Sequence, residues 1–320
     1  MEPKLEQLVE RSARVWDVSC SAAEKMLSMD RQKALRVNPL KATNKEFEEL
    51  KGCFGLLPIS WAKNCYQITE NYDQVTRHEL FLSGYFSLQN SSSFMPVIAL
   101  KPKANTSILD MCAAPGTKTT HIATLVNNKA QIIANDNSKN RFFKLQKMLK
   151  TYGANAQTTL RDARQLNATL GPSSVDTILL DAPCSGEGEL NLNKPSSTKY
   201  WSLKKIKRLS GLQKQLIVGA YDLLKSGGNM VYSTCTIAPE ENELVVNYLL
   251  QKRPGAIIKD TNLPGQLTSP GLTSWDTKKL SSSLEKTRRV IPSPANQAFY
   301  VAKITKTDNL SENEFSYKQN

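Results

Sequence analysis

The stretch "VDTILLDAPCSGEGEL", Val175 to Leu190, decides how this chain is read. β-Branched residues and two leucines run into Asp181, and a proline, Cys184 and a glycine-flanked loop follow. That pattern predicts a buried strand that ends abruptly with polar residues at its C-terminal end. In an open α/β sheet that end is where a ligand sits.

Similar apolar runs recur on either side. "TSILDMC", "AQIIAND", "NAQTTLRDA", "NMVYSTC" and "QAFYVAKI" read as further strands. Helical segments alternate with them: "GTKTTHIATLVNN", "SKNRFFKLQKMLKTYG" ending on Gly153, "SLKKIKRLSGLQKQLIVGAYDLLKSGG" and "PEENELVVNYLLQKRPG". Alternation of this kind predicts parallel βαβ units and a doubly wound α/β domain over 81–306. Residues 1–80 read differently, as a small appendage of helices and a strand, with "TNKEFEELKGCFG" a helix behind an N-cap. Residues 261–290, rich in Ser, Thr, Gly and Pro, read as a long insertion or lid, and 307–320 as a polar tail.

The chain has 320 residues and a formal net charge of +13. That charge favours a polyanionic partner, nucleic acid first. No run reaches the length of a membrane span and the polar N-terminus is not a signal peptide, so the expected setting is the cytoplasm, away from membranes. The six cysteines are scattered without a Cys-x-x-Cys, and there are two histidines, so neither a disulfide framework nor a metal site is expected.

"ILDMCAAPGTKTT" follows a strand and opens a helix, the position of a nucleotide-cofactor turn. A Walker A loop fails because Thr117 separates Gly116 from Lys118, and a dinucleotide fingerprint fails for want of glycines. A turn of small residues, Ala113, Ala114 and Gly116, suits S-adenosylmethionine, which carries no pyrophosphate; a bare strand–helix turn is the competing reading. Asp136 ends the second strand, where an acid bonds ribose hydroxyls, and Asp162 ends the third, placed to accept from an adenine amino group.

Cys184 and Cys235 end two strands that lie side by side in such a sheet, so both thiols face one crevice. A buried cysteine is ordinarily a small hydrophobe, which serves for Cys20, Cys53 and Cys65 but poorly for strand ends rich in Pro, Ser and Gly. Chemistry gives a reason for thiols. C5 of a pyrimidine is a weak nucleophile, and a thiolate adding to C6 makes it an enamine carbon. A cationic neighbourhood favours the thiolate, and Asp181, protonated or through a hydrogen bond, would stabilise charge on the ring. A second thiol would help the release that follows.

"DMCAAPGTKT", "DAPCSGEG" and "YSTCTIAPEENE", with "LRVNPLK" and "GYFSLQNSSSFMPVIALKP", resemble the motifs of the Nol/Nop/Sun family of RNA 5-methylcytosine methyltransferases. The resemblance implies a Rossmann-like class I methyltransferase with a mostly parallel seven-stranded sheet, acting as a monomer on ribosomal or transfer RNA, the former favoured. It implies that Cys235 attacks C6, that Cys184 assists release and that Asp181 binds the cytosine edge beside the cofactor. The turn Cys112, Ala113, Ala114, Pro115, Gly116, Thr117 and Lys118 would hold S-adenosylmethionine, with Asp136 on the ribose, Asp162 on the adenine and Arg141 in support. Thr117 stands where the family commonly has glycine, tolerable if its φ stays negative, and Ala298 stands at another glycine position. Two other classes compete: a methyltransferase-like RNA-binding or ribosome-assembly factor with little turnover, and an amino-methyltransferase, whose Pro-Pro-aromatic motif is replaced here by "DAPC".

Basic clusters at "KKIKR" (Lys204 to Arg208), at Arg161 and Arg164, and in "EKTRRV" (Glu285 to Val290) are expected to grip phosphates. Tyr200 and Trp201 are expected either to stack a base or to close a helix start.

Overall fold

A computed structural model describes residues 2–307, so the expected tail lies, from residue 308 on, outside the described residues. In the N-terminal unit, β1 (Ala34–Val37), β2 (Leu56–Pro58), β3 (Cys65–Ile68) and β4 (Phe86–Gln89) form an antiparallel sheet in the order β2-β3-β1-β4. β4 pairs with β1 along its length, so this unit runs past the expected boundary at residue 80. The helix Asn44–Phe54 packs on it. Thr43 and Glu46 close a capping box at its start, and Gly55 ends it in the left-handed region.

The second sheet is the expected Rossmann-like one. β5 (Ser107–Asp110), β6 (Gln131–Asp136), β7 (Gln157–Leu160), β8 (Val175–Asp181) and β9 (Leu224–Thr234) are parallel in the order β7-β6-β5-β8-β9. Beyond β9 the pairing turns antiparallel. After β10 (Ala256–Lys259) and β11 (Thr268–Pro270) come a two-stranded piece, β12 (Ser274–Trp275) with β13 (Lys278–Lys279), then β14 (Arg288–Val290) and β15 (Phe299–Lys306). β15 pairs with β9 on one edge and with β14 and β10 on the other. The six strands read from the sequence are β5 to β9 and β15; β10 makes the seven that the resemblance implies, and β11 and β14 bring the sheet to nine.

Those two additions come from residues 261–290, which are therefore no mere loop. Arg289 of β14 is buried and donates to Glu243 Oε1 at 2.6 Å and to the Ile237 carbonyl at 2.9 Å, while Glu243 Oε1 also accepts from the Leu272 amide. The segment is thus tied to the helix Glu243–Lys252 and to the chain just after Cys235. The helix after Cys184 runs Leu203–Leu223 and stops before the glycine pair, because Leu224 already pairs with Val175; Gly227 and Gly228 lie inside β9.

One apolar layer packs the helices Leu203–Leu223 and Glu243–Lys252 on one face of the sheet, and a second packs Met95–Leu100 and Thr117–Leu125 on the other. The first two helices, Pro3–Trp16 and Cys20–Leu27, place Leu8, Val9 and Leu27 against Leu190, Trp201, Ile237 and Ala298, beneath the loops that carry the two thiols. The N-terminal sheet is joined to the second by Arg36. Fully buried, it donates to Thr120 Oγ1 at 2.9 Å and more distantly to the Thr117 carbonyl and Thr124 Oγ1, and burial lowers its pKa to about 10. Among the described residues no helix is long and apolar enough to cross a membrane.

Breaking a buried ion pair leaves its partner charged and desolvated. Glu243→Ala is expected to cost about 3–5 kcal/mol in urea unfolding, and the double variant with Arg289→Met less than that. A loss below about 1 kcal/mol for the single variant would show that the pair is solvated.

Candidate active site

The ends of β5, β6, β8 and β9 open into one cavity of about 520 Å³, within the range of small-molecule sites. Of the residues singled out in the sequence, Cys112, Ala114, Asp136, Arg141, Asp162, Asp181, Cys184 and Cys235 line it. Ala113, Pro115, Gly116, Thr117 and Lys118 are not among its lining residues, although Lys118 reaches Asp181, which is.

The turn after β5 is held by its neighbours. The Ala113 amide donates to the Asn135 carbonyl at 2.7 Å and the Ala114 amide to Asp136 Oδ2 at 3.2 Å. Arg141 donates to the Ala114 carbonyl at 2.5 Å and pairs with Asp136 at 3.2 Å, so it braces the turn and the acid together. Gly116 has φ 113°, a conformation L residues avoid. Thr117 begins the helix outside the positive-φ region, so it fits where the family has glycine. The small side chains, the acid ending β6 and a wall from Leu209, Leu212 and Leu216 fit a nucleoside-bearing cofactor. Asp162 lines the same cavity; the hydrogen bond from Arg164 holds its pKa below the usual carboxylate value. Cys112 is an inert wall residue, its pKa pushed up by burial.

At the other end, Cys184 Sγ and Cys235 Sγ face each other at 3.3 Å, unbonded. Asp181 Oδ2 accepts from Lys118 Nζ at 2.7 Å and its Oδ1 from Ser233 Oγ at 2.7 Å. Burial opposes the Lys118 charge, but the Asp181 carboxylate outweighs it and raises the ammonium's pKa. The expected cation is present in Lys118, which Cys235 influences electrostatically, but it does not hold Cys235 as a thiolate at rest. The hydrogen bond with Cys184, then burial, push its pKa well above the ordinary value, with Glu189 and Asp181 adding to this, so the resting site holds a thiol.

Several residues that hold these loops were not legible as functional. Glu241 is buried; its Oε2 accepts from the Ser185 amide at 2.9 Å and from Gln213 Nε2 at 2.8 Å. Glu187 accepts from Trp201 Nε1 at 2.7 Å and Thr236 Oγ1 at 2.9 Å, and Ser185 Oγ bonds Thr236 Oγ1 at 2.7 Å. Ser185 and Thr236 each sit one residue past a thiol. Gly188 donates to the Cys235 carbonyl at 2.9 Å, and a Cβ there would stand 2.1 Å from the Ala298 carbonyl oxygen. The only hint in the sequence was the density of acids in "SGEGE" and "PEEN".

The structure decides between the two readings of Trp201 and corrects the one made for "EKTRRV". Trp201 is 4% exposed and bonded to Glu187, so it supports the Cys184 loop and stacks no base; Tyr200 beside it is 72% exposed. In "EKTRRV", Arg289 is consumed by Glu243, and Arg288 donates to the carbonyls of Glu285 and Thr287. Of "KKIKR", Lys205 turns inward to the Ser185 carbonyl, while Lys204, Lys207 and Arg208 stay exposed.

Comparison with known proteins follows the same lines. A family model described as 16S rRNA methyltransferase RsmB/F matches residues 97–305, and one for the N-terminal domain of 16S rRNA methyltransferase RsmF matches 6–91. A tRNA (cytosine(49)-C(5))-methyltransferase from Pyrococcus abyssi is 39% identical over 85% of this chain and 88% of its own length. The 25S rRNA (cytosine-C(5))-methyltransferase nop2 of Schizosaccharomyces pombe is 37% identical over 87% of this chain, which spans only 46% of it. A crystal structure of a methyltransferase homolog from Pyrococcus horikoshii superimposes with a TM-score of 0.75 at 29% identity, covering 96% of this chain and all of that one.

Burial raises the pKa of Glu241 to about 7, and that of the buried Asp110 to about 7. Both folded values exceed the unfolded ones near 4. Between about pH 4 and 7 the folded state therefore holds protons the unfolded state has released, and stability falls as pH rises through that window. Glu241→Gln is expected to flatten this slope in urea midpoints measured from pH 5 to 8; an unchanged slope would place the proton elsewhere.

Proposed function

The chain belongs to the 16S rRNA methyltransferase RsmB/F family, and from that membership we propose that it transfers a methyl group from S-adenosylmethionine to C5 of a cytosine in RNA. Ribosomal RNA is the favoured substrate, since both matching family models describe ribosomal RNA enzymes, with transfer RNA the second. The observation that carries the proposal is the pair of free thiols 3.3 Å apart beside Asp181 in a cavity able to hold the cofactor.

The turn from Cys112 to Lys118, with Asp136, Arg141 and Asp162, would hold S-adenosylmethionine, which supplies an electrophilic methyl carbon. The cytosine enters beside the thiols, flipped from its stack. Asp181 accepts from its exocyclic amine. Because both Asp181 oxygens already accept from Lys118 and Ser233, the donor toward the ring is the Lys118 ammonium and not a protonated carboxyl. An entering base separates the two sulfurs and removes the contact that keeps Cys235 protonated; Lys118 is then the nearby cation that favours the thiolate.

Cys235 Sγ loses its proton to solvent and bonds to C6, leaving C5 an enamine carbon that gains the methyl group. The methyl donor would leave as its neutral thioether. Cys184, at the same face and itself deprotonated to solvent before this step, takes the proton from C5, and the C5–H bond gives up its electron pair. That pair re-forms the ring double bond as the Sγ–C6 bond breaks and returns a thiolate at Cys235.

Cys184→Ser is expected to accumulate an RNA adduct that survives denaturing electrophoresis. Cys235→Ala is expected to lose both that band and turnover, the latter by on the order of 10⁴-fold or more. Turnover retained in Cys235→Ala would overturn the assignment.

A further inference from the structure

A second pocket, of about 390 Å³, lies against the cytosine end of the cavity, and Glu189 lines both. One side comes from the N-terminal unit, at Arg31, Lys33, Asn90 and Ser93, and the other from the chain after Cys184 and before β15. It is therefore built only when the two units meet.

Its polar groups divide into those already bonded and those that are not. Lys194 pairs with Asp30 at 2.5 Å, and Asn191 bonds Asp30 and the Met29 carbonyl. Arg31 is different. It donates to the carbonyls of Met26 and Leu190, its Nε is buried without a partner, and no carboxylate pairs with it among the described residues. Asn90 uses its Oδ1 on the amides of Ser92 and Gln297, which leaves its NH₂ free. The Ser93 hydroxyl and the Gln297 carboxamide make no hydrogen bond among the described residues, although Gln297 is 8% exposed. Gln297 lines the pocket, so its unpaired carboxamide is available to a group that enters there.

We propose that this pocket receives the RNA nucleotide adjoining the target cytosine, reading its base edge with Asn90, Ser93 and Gln297 and its phosphate with Arg31 and Lys33. Carboxamides present a donor and an acceptor side by side, the pattern that matches a nucleobase edge. Single-stranded RNA is read on such edges once its bases are splayed apart. A lone cation without a carboxylate suits a phosphate. The shared wall at Glu189 places the two nucleotides in neighbouring compartments.

The proposal rests on the cytosine reading above, and its test separates the two. A pool of RNA oligonucleotides with one cytosine between randomised nucleotides is incubated with the whole chain and S-adenosylmethionine. Sequences are read from the bound fraction and from the fraction carrying 5-methylcytosine. The expected result is enrichment of one base at one position adjoining the cytosine. In Ser93→Ala with Gln297→Ala that enrichment falls from roughly 10-fold to less than about 3-fold, at that position alone. Neither side chain makes an internal hydrogen bond, and equal melting temperatures of the variant and the parent chain check that the fold is kept. No enrichment in the parent chain, or enrichment that survives both substitutions, overturns the subsite. Enrichment in the bound fraction with no 5-methylcytosine supports the subsite and overturns the reaction; 5-methylcytosine with no enrichment does the reverse.

Discussion

The parallel pairing of β8 with β9 is the constraint on which the site depends. Asp181 stands opposite Ser233 in that register, and each strand ends within three residues of a thiol. Pairing alone would leave two polar loops free to part. They are stitched by buried groups that come from both sides: Ser185 to Thr236, Gly188 to the Cys235 carbonyl, and Glu187 and Glu241 bridging the rest. The apolar underside is supplied by the N-terminal helices, so the thiol pair is positioned by the whole chain and not by the sheet only.

The same burial sets the electrostatics. Cys235 rests as a thiol because of its hydrogen bond with Cys184 and its burial, with two acids adding to this. The charge needed for reaction sits one shell away, on Lys118, held there by Asp181. On the mechanism proposed above, the site would keep Cys235 protonated until a base enters between the sulfurs, which would limit side reactions of a free thiolate.

Much of this was legible in the sequence. The long apolar runs of β5, β6, β8 and β9 ended on Asp110, Asp136, Asp181 and Cys235, and strand ends in a doubly wound sheet converge whatever the loops do. Short strands were not legible. β2, β11 and β14 have three residues each, too few for a period, and β10 reads as part of a helix–loop junction. Trp201 and Arg289 defeated the reading for another reason. An aromatic beside lysines, or an arginine beside another, shows its role only through a partner distant in sequence: Glu187 for one, Glu243 for the other. Glu241 looked like a solvated acid for the same cause.

Arg36 carries a last consequence. Its guanidinium is sealed between the units with no carboxylate as counter-charge among the described residues; its two terminal nitrogens donate to hydroxyls and a carbonyl of the helix that follows the cofactor turn, while its Nε is buried without a partner. The N-terminal unit is therefore not an interchangeable cartridge. Grafting it onto another catalytic body carries along a demand for oxygen-bearing side chains at the places of Thr120 and Thr124, and a recipient without them would inherit a stranded cation in its interior.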